Sequence, residues 1–281
     1  MLLCTERLPA ADFLYDLKEN MEENKMKKKW LGLMAAAVCV LSMAACGSKN
    51  EPAADSGEGE EKGTIVMATN AEFQPWEYHD GDDIVGIDAD IAAAVAEKLG
   101  MELKIEDMAF DSIIPAVTSG KADFGLAGMT VTPEREENVN FSDTYATATQ
   151  VIIVKEDSEI AGPDDLTGKT VGVQLGTTGD VYADDIEDVT VERYNKGFEA
   201  VQALLQDKID AVVIDNEPAK VFVAESEGLK ILDEAFTEEE YAMAIAKDNE
   251  ELLEKVNTAL ADLKESGKLD EIIAKYISAD E

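Results

Sequence analysis

The chain has 281 residues, with 24 basic against 61 acidic side chains, a net charge of −37 and 46% apolar residues. Such an acid excess excludes a phosphate backbone as a natural partner, so no nucleic-acid role is expected, and it gives a soluble, self-repelling surface. Cys4, Cys39 and Cys46 are the only cysteines and His79 the only histidine, which argues against a disulfide framework, a Cys- or His-rich metal site and Ser-His-Asp catalysis; neither metal nor cofactor is expected.

The chain opens with an acid-rich segment, residues 1–25, that is not signal-like. Met26 is followed by Lys27, Lys28 and Lys29, an apolar run from Trp30 to about Val40, and Leu41-Ser42-Met43-Ala44-Ala45 leading into Cys46. A basic start, a short apolar stretch and small residues before a cysteine form a lipoprotein export signal, and the run is too short to span a bilayer comfortably. Met26 is therefore read as the true start, 1–25 as an over-extended start, 26–45 as the excised signal and Cys46 as the lipidated first residue. Residues 1–45 hold equal numbers of acids and bases, so the mature chain keeps the whole charge. From Cys46 to Gly63 the composition (Gly, Ser, Glu, Pro) buries no core and makes a flexible tether.

From Thr64 onward, strand and helix patterns alternate. Thr64–Thr69 reads as a strand. Asp88–Leu99 reads as a helix, with Asp88 as N-cap, Ile91, Val95 and Leu99 at helical spacing and Gly100 as its stop. A short strand at Leu103–Ile105, a helix at Ile113–Ser119 and a strand at Ala122–Ala127 follow. Further strands are expected at Thr170–Val173, Val189–Arg193 and Ala211–Ile214, with helices at Gly179–Asp184 and Phe198–Gln206 between them. Asn249–Tyr276 is helical, interrupted at Gly267. This rhythm means an α/β fold with largely parallel sheets.

Ligands in open α/β sheets bind beyond the carboxyl ends of strands, and four clusters fall there. Asn70, Phe73 and Trp76 follow the first strand. Thr130 and Arg135 lie in Ala127–Arg135, where a guanidinium offers a planar fork suited to a carboxylate. Gln174-Leu175-Gly176-Thr177-Thr178-Gly179 stands between a strand and a helix start, where free backbone N–H groups favour an anion. Asp215 ends a strand and suits a positive charge. Taken singly, Arg135 also reads as a solvated surface residue, Phe73 and Trp76 as core aromatics, Gly176–Thr178 as a helix cap and Asp215 as a turn start. Together they match a zwitterionic α-amino acid.

The segments ATNAEFQPWEY, GIDADIAAAVAEKLG, FDSIIPAVTSGKADFGLAGMTVTPERE, NFSDTYA, GKTVGVQLGTT, DAVVIDNEPA and LADLKESGKLDEIIAKYI together resemble the polar amino-acid family of solute-binding proteins that serve ABC importers. The resemblance implies a two-lobed, type II periplasmic-binding-protein-like fold with two hinge strands. Lobe 1 would hold residues 64–148 plus 241–281 and lobe 2 residues 149–240, with crossings near Thr147–Ile152 and Tyr241–Ala244. It further implies that Arg135 clamps the ligand carboxylate with Thr130 and the backbone near Gly128. Thr177 and Thr178 would reach that group from lobe 2, and Asp215 would bind the α-ammonium. Phe73, Trp76 and Phe110 would line the side-chain pocket, with Gln174 opposite. Asn70 departs from the acidic residue common in relatives that take cationic or amide side chains, since a neutral amide carries no charge.

The function expected from this resemblance is that of an exported, lipid-anchored, monomeric receptor handing a polar amino acid to an ABC permease. The alternative is an enzyme on the same fold, a dehydratase of cyclic precursors of aromatic amino acids (cyclohexadienyl dehydratase-like), with Glu72, Glu217 or His79 as acid or base. If the anchor reading is right, Cys46→Ser shifts the protein from the membrane fraction to the soluble one. A mutant that stays membrane-bound, with a wild-type mature terminus other than Cys46, removes it.

Overall fold

Runs of apolar residues buried on both faces set the architecture, as strands sandwiched between helices require. The structure, a computed structural model, describes residues 63–277; the leader, the signal, Cys46 and nearly all of the tether lie outside the described residues. In the first part of the chain come β1 (Thr64–Thr69), β2 (Glu72–Phe73), β3 (Glu77–Asp80), β4 (Asp83–Val85), helix α1 (Ile87–Leu99) and β5 (Glu102–Asp107). Helix α2 (Ile113–Thr118), β6 (Phe124–Gly125), the one-turn helix α3 (Pro133–Glu136) and β7 (Val139–Phe141) follow. Next are β8 (Ala146–Lys155), β9 (Thr170–Gln174), α4 (Thr178–Asp184), β10 (Thr190–Tyr194), α5 (Gly197–Leu205), β11 (Ala211–Asp215), α6 (Asn216–Ala224), β12 (Leu229–Ile231) and β13 (Thr237–Tyr241). The chain closes with β14 (Ala244–Ala246), α7 (Glu250–Glu265) and α8 (Lys268–Tyr276).

Each lobe is built on one sheet. The first has strand order β5-β1-β6-β14-β7 and the second β10-β9-β11-β8-β12, with β13 also paired to β8. Each sheet is parallel on one side, where β1 runs with β5 and β6, and β9 with β10 and β11. On the other side β14 opposes β6 and β7, and β8 opposes β11, β12 and β13. The sheets are therefore mixed, not largely parallel, because strands that carry the chain between lobes enter each sheet against its direction. The chain leaves the first sheet after β7, runs into β8, and returns from β13 into β14, with Tyr241 paired to Ala146 in the register.

Alternation along the strands assigns the two faces. In lobe 1, Ile65 and Met67 pack with Ile91, Val95, Val256, Leu260 and Leu263 under α1 and α7, while Ala68 faces Ile113 and Val117 of α2. In lobe 2, Ile153, Val212 and Ile214 face Val201 and Leu204 of α5, while Ile152, Val171 and Val213 face Ala183 of α4.

Local chemistry explains most boundaries. Gly100 ends α1 in the left-handed region at φ 70°, and Asn249 caps α7 by accepting from the Leu252 N–H at 3.2 Å. Two expectations are corrected. Asp88 is not the N-cap of α1: that position is Gly86, and Asp88 lies inside the helix, fully buried. The strand expected over Ala122–Ala127 is only Phe124–Gly125; beyond it Leu126 stays in the core and Ala127 reaches the cleft lining. The hairpin β2-β3-β4 and the strands β13 and β14 had no strong periodic signal.

Gly86 has φ 129°, and an added Cβ would sit 2.2 Å from the Trp76 carbonyl oxygen. Gly86→Ala therefore lowers unfolding free energy by more than about 2 kcal/mol in urea titration. Gly100→Ala, with open space around it, costs only about 1 kcal/mol. Equal costs would contradict the steric account.

Candidate functional site

The carboxyl ends of β1, β6, β9 and β11 converge on one cleft between the lobes, as α/β topology favours. The lobes leave a cavity of about 10 Å³ there, about what a single water molecule needs. Asn70, Phe73, Phe110, Gly128, Thr130 and Arg135 line it from lobe 1, and Gln174, Thr177, Thr178 and Asp215 from lobe 2. Trp76 does not line it. Its ring is 2% exposed and packs edge-on against Tyr241, centroids 4.9 Å apart, so the core-aromatic reading holds for this residue. Glu77 and Ala127 line the cleft in addition.

Arg135 stands in the one-turn helix that Thr132 caps, its backbone N–H donating to the Thr132 hydroxyl at 3.2 Å. Its Nη1 donates to the Thr130 carbonyl at 2.6 Å and its Nη2 to the Gly176 carbonyl at 3.1 Å, and its Cζ lies 5.3 Å from the centre of the Phe110 ring. Two carbonyls and an aromatic face hold the fork across both lobes. Burial pulls the guanidinium below its ordinary pKa, while Glu239 and Asp215 act the other way; at this basicity the group stays charged.

Asp215 occupies the N-cap position of α6 without a capping side-chain bond, and accepts a hydrogen bond from the Tyr241 hydroxyl. Burial, and then the charge of Glu239, push its carboxyl up to about 7. Glu239 was not legible as a site residue. On β13 it is the inward member of Glu238-Glu239-Glu240, and it accepts from the Thr130 hydroxyl at 2.8 Å and the Gln150 amide at 3.1 Å. The three consecutive acids show no alternation in the sequence; the one hint is the apolar Tyr241 two residues on, which at period 2 shares a face with Glu239.

A second acidic group lies deeper. Glu77, on β3, is 1% exposed, and neither carboxyl oxygen has a hydrogen-bond partner. Asp88, beside it, accepts from the Gly128 N–H at 2.7 Å and the Tyr145 hydroxyl at 3.0 Å through Oδ2, while its Oδ1 has no partner. Burial raises the Asp88 carboxyl to about 6. Burial, and then the charges of Asp88, Asp215 and Asp107, raise Glu77 well above the usual carboxylate range.

Cross-lobe bonds frame the cleft. Gln174 Nε2 donates to Asn70 Oδ1 at 2.8 Å, and Asn70 Nδ2 to the Met108 carbonyl at 2.8 Å. Lys196 pairs with Glu72 at the rim. Thr177 caps α4, accepting from the Asp180 N–H at 3.3 Å, which places Thr178 at the helix start, 5% exposed. The acids and base on which an enzyme reading rested lie outside the cleft lining: Glu72 on Lys196, Glu217 on Lys220 at 2.9 Å, and His79 on Asp107 at 3.1 Å.

Residues 65–279 match the family described as bacterial extracellular solute-binding proteins, family 3. The chain is 38% identical over 259 residues to the arginine-binding extracellular protein ArtP of Bacillus subtilis (strain 168), covering 90% of this chain and 99% of that protein. It also matches the solved structure of an ancestral arginine-binding protein bound to arginine, with TM-score 0.75, 42% identity, and coverage of 78% of this chain and 100% of that one. A structure of an ancestral arginine-binding protein bound to glutamine matches with TM-score 0.72 and 42% identity, over 78% of this chain and 99% of that one. These neighbours share the two-lobed α/β fold.

The buried acids make stability depend on pH with a definite sign. Asp88, Asp215 and Glu77 hold protons in the folded state at pH values where the unfolded chain, with carboxyl pKa values of about 4, has lost them. Their stabilising contribution is complete below about pH 4 and is lost as pH rises through the folded values near 6 and 7. The melting temperature without ligand therefore falls by several degrees between about pH 5 and pH 7.5, and Asp215→Asn flattens the slope. A melting temperature that climbs across this interval contradicts the assignment.

Proposed function

Because the chain belongs to the bacterial extracellular solute-binding proteins, family 3, we propose that it is the receptor for a cationic α-amino acid of arginine type. It would be held outside the membrane by a lipid on Cys46 and would pass its ligand, as a monomer, to an ABC importer. The observation that carries the ligand class is the charge layout of the cleft. Arg135 is the lining cation, while Asp215 and Glu77 are the lining acids. One cation and two carboxyl groups complement a ligand with one carboxylate, one ammonium and a positive side chain. Arg135 takes the carboxylate, with Thr130, Thr177, Thr178 and the backbone at Gly128 around it. Asp215 takes the ammonium. Phe73 and Phe110 flank the side chain, and Asn70 and Gln174 border it with amides. Glu77 supplies the negative charge that the neutral Asn70 does not. The names of the arginine-binding relatives support the same class.

A second reading, a neutral polar side chain, rests on Asn70 and Gln174, whose amides offer both donors and acceptors. Nothing in either reading calls for turnover.

Truncating one partner of a buried charge pair costs about 2–5 kcal/mol, or roughly 30- to 5,000-fold in affinity. Arg135→Ala is expected to bind L-arginine that much more weakly in calorimetry while keeping a cooperative melt. Near wild-type affinity would sink the carboxylate assignment. At a hundredfold excess over Kd the ligand adds about 2.7 kcal/mol, a melting rise of roughly 5–10 °C. Among the natural amino acids, the cationic ones should produce it and be recovered unchanged. A shift with neutral amino acids alone favours the second reading, and a new product favours an enzyme.

A further inference from the structure

We propose that Glu77 and Asp88 form a proton-sharing carboxyl pair at the end of the cleft, which gives up its proton when a cationic side chain binds. The receptor then reads ligand charge through protonation. The inference rests on the cationic reading of the ligand.

The geometry is that of two carboxyl groups placed together where water cannot reach. Glu77 is 1% exposed and Asp88 fully buried. Three of their four oxygens have no hydrogen-bond partner, and the fourth takes its bonds from the Gly128 N–H and the Tyr145 hydroxyl. Both of these partners are neutral. Backbone bonds hold the pair together, since the Asp88 N–H donates to the Trp76 carbonyl at 2.8 Å and the Ile87 N–H to the Pro75 carbonyl at 3.0 Å. Among the described residues, Asp107 at the end of β5, Asp215 at the end of β11 and Tyr145 ahead of β8 face the pair. Arg135 lines the same cleft, its fork turned to the Thr130 and Gly176 carbonyls, and His79 sits on the far side of Asp107. Two like charges in such a site do not both ionise, so one proton stays on the pair. Asp88 stays fixed on the loop at Gly128, and Glu77 faces the cleft.

When a guanidinium or ammonium reaches Glu77, its positive charge offsets a second ionisation of the pair and the shared proton leaves to solvent. The exchange balances as protonated pair plus cationic ligand giving ionised pair with bound cation plus one released proton. With a neutral amide side chain the proton stays, and the protonated carboxyl donates to the amide oxygen. Acidification thus moves the preference of the cleft from cationic toward neutral side chains.

Calorimetry of L-arginine binding to the full chain, near pH 6.5 in buffers of different ionisation enthalpy, counts the protons released. Asp215 also titrates near neutrality and its release accompanies any amino acid, so the quantity that decides is the difference between wild type and Glu77→Gln. The wild type is expected to release close to one proton more than Glu77→Gln does. As pH drops below the titration of the pair, wild-type affinity should fall more steeply than that of Glu77→Gln, by up to tenfold more per pH unit. Asp88→Asn, which retains an acceptor for the Gly128 N–H, should shift that titration to lower pH. Arginine binding with equal proton release in wild type and Glu77→Gln overturns the pair and leaves the receptor reading standing. Failure of arginine, lysine and ornithine to bind at any pH from 5 to 8 overturns the cationic reading and the pair with it.

Discussion

The buried Asp88 carboxylate is the constraint on which the ligand-facing geometry depends. One oxygen takes two hydrogen bonds, from the Gly128 N–H and the Tyr145 hydroxyl. It thereby fixes the start of α1, the loop that leads to Thr130 and Arg135, and the approach to β8. Gly128 adopts φ 51°, and a Cβ there would meet the Phe73 ring at 3.1 Å, so the loop passes the aromatic wall at a distance only glycine allows. An acid as a hub has a cost that an amide would not have. It carries an ionisation into the interior, and the structure accommodates that with neutral donors where a salt bridge would otherwise stand.

The same logic recurs at the hinge. Glu239 belongs to a strand that joins the lobes, yet its partners are Thr130 from one side and Gln150 from the other. It couples the loop that presents Arg135 to the strand β8. The cleft is thus bordered by acids on three elements, β3, β11 and β13, and by a guanidinium whose own bonds cross between lobes. Burial first, and then repulsion from neighbouring acids, keep Glu77 and Asp215 protonated more readily than surface carboxyl groups.

Sequence alone made much of this legible, and the reason is the strength of the periodic signal. Thr64–Thr69, Thr170–Gln174 and Ala211–Asp215 are short apolar runs bounded by turn residues, and the site residues that follow them were placed by the rule that ligands sit at strand ends. Arg135, Asp215 and Thr178, placed this way, line the cleft, and their expected roles came from the family resemblance. Trp76 was not separable from its neighbour Phe73, because alternation around a turn is lost and the two rings take opposite sides. Asp88 carried every mark of a helix cap, yet its buried role depends on Gly128, 40 residues away, which no local pattern encodes. Glu77 and Glu239 stayed hidden among many acids in a chain of charge −37, where one buried carboxylate looks like any solvated one.

The strand order of the first sheet has a consequence for how the protein is made. Strand β14, Ala244–Ala246, lies between β6 and β7, so the sheet stays open until the whole segment from β8 to β13 has been synthesised. That segment is contiguous, and its two ends meet as register partners at Ala146 and Tyr241. It is a complete insert that can condense by itself while its host waits. The host depends on contacts far apart in sequence, which close slowly, and until β14 arrives the flank of β6 is an unpaired edge open to wrong pairing. The topology makes all of the second sheet's strands available before β14, α7 and α8, which complete the first, have been made. A truncation just before β14 would leave the inserted lobe intact and its host unfinished.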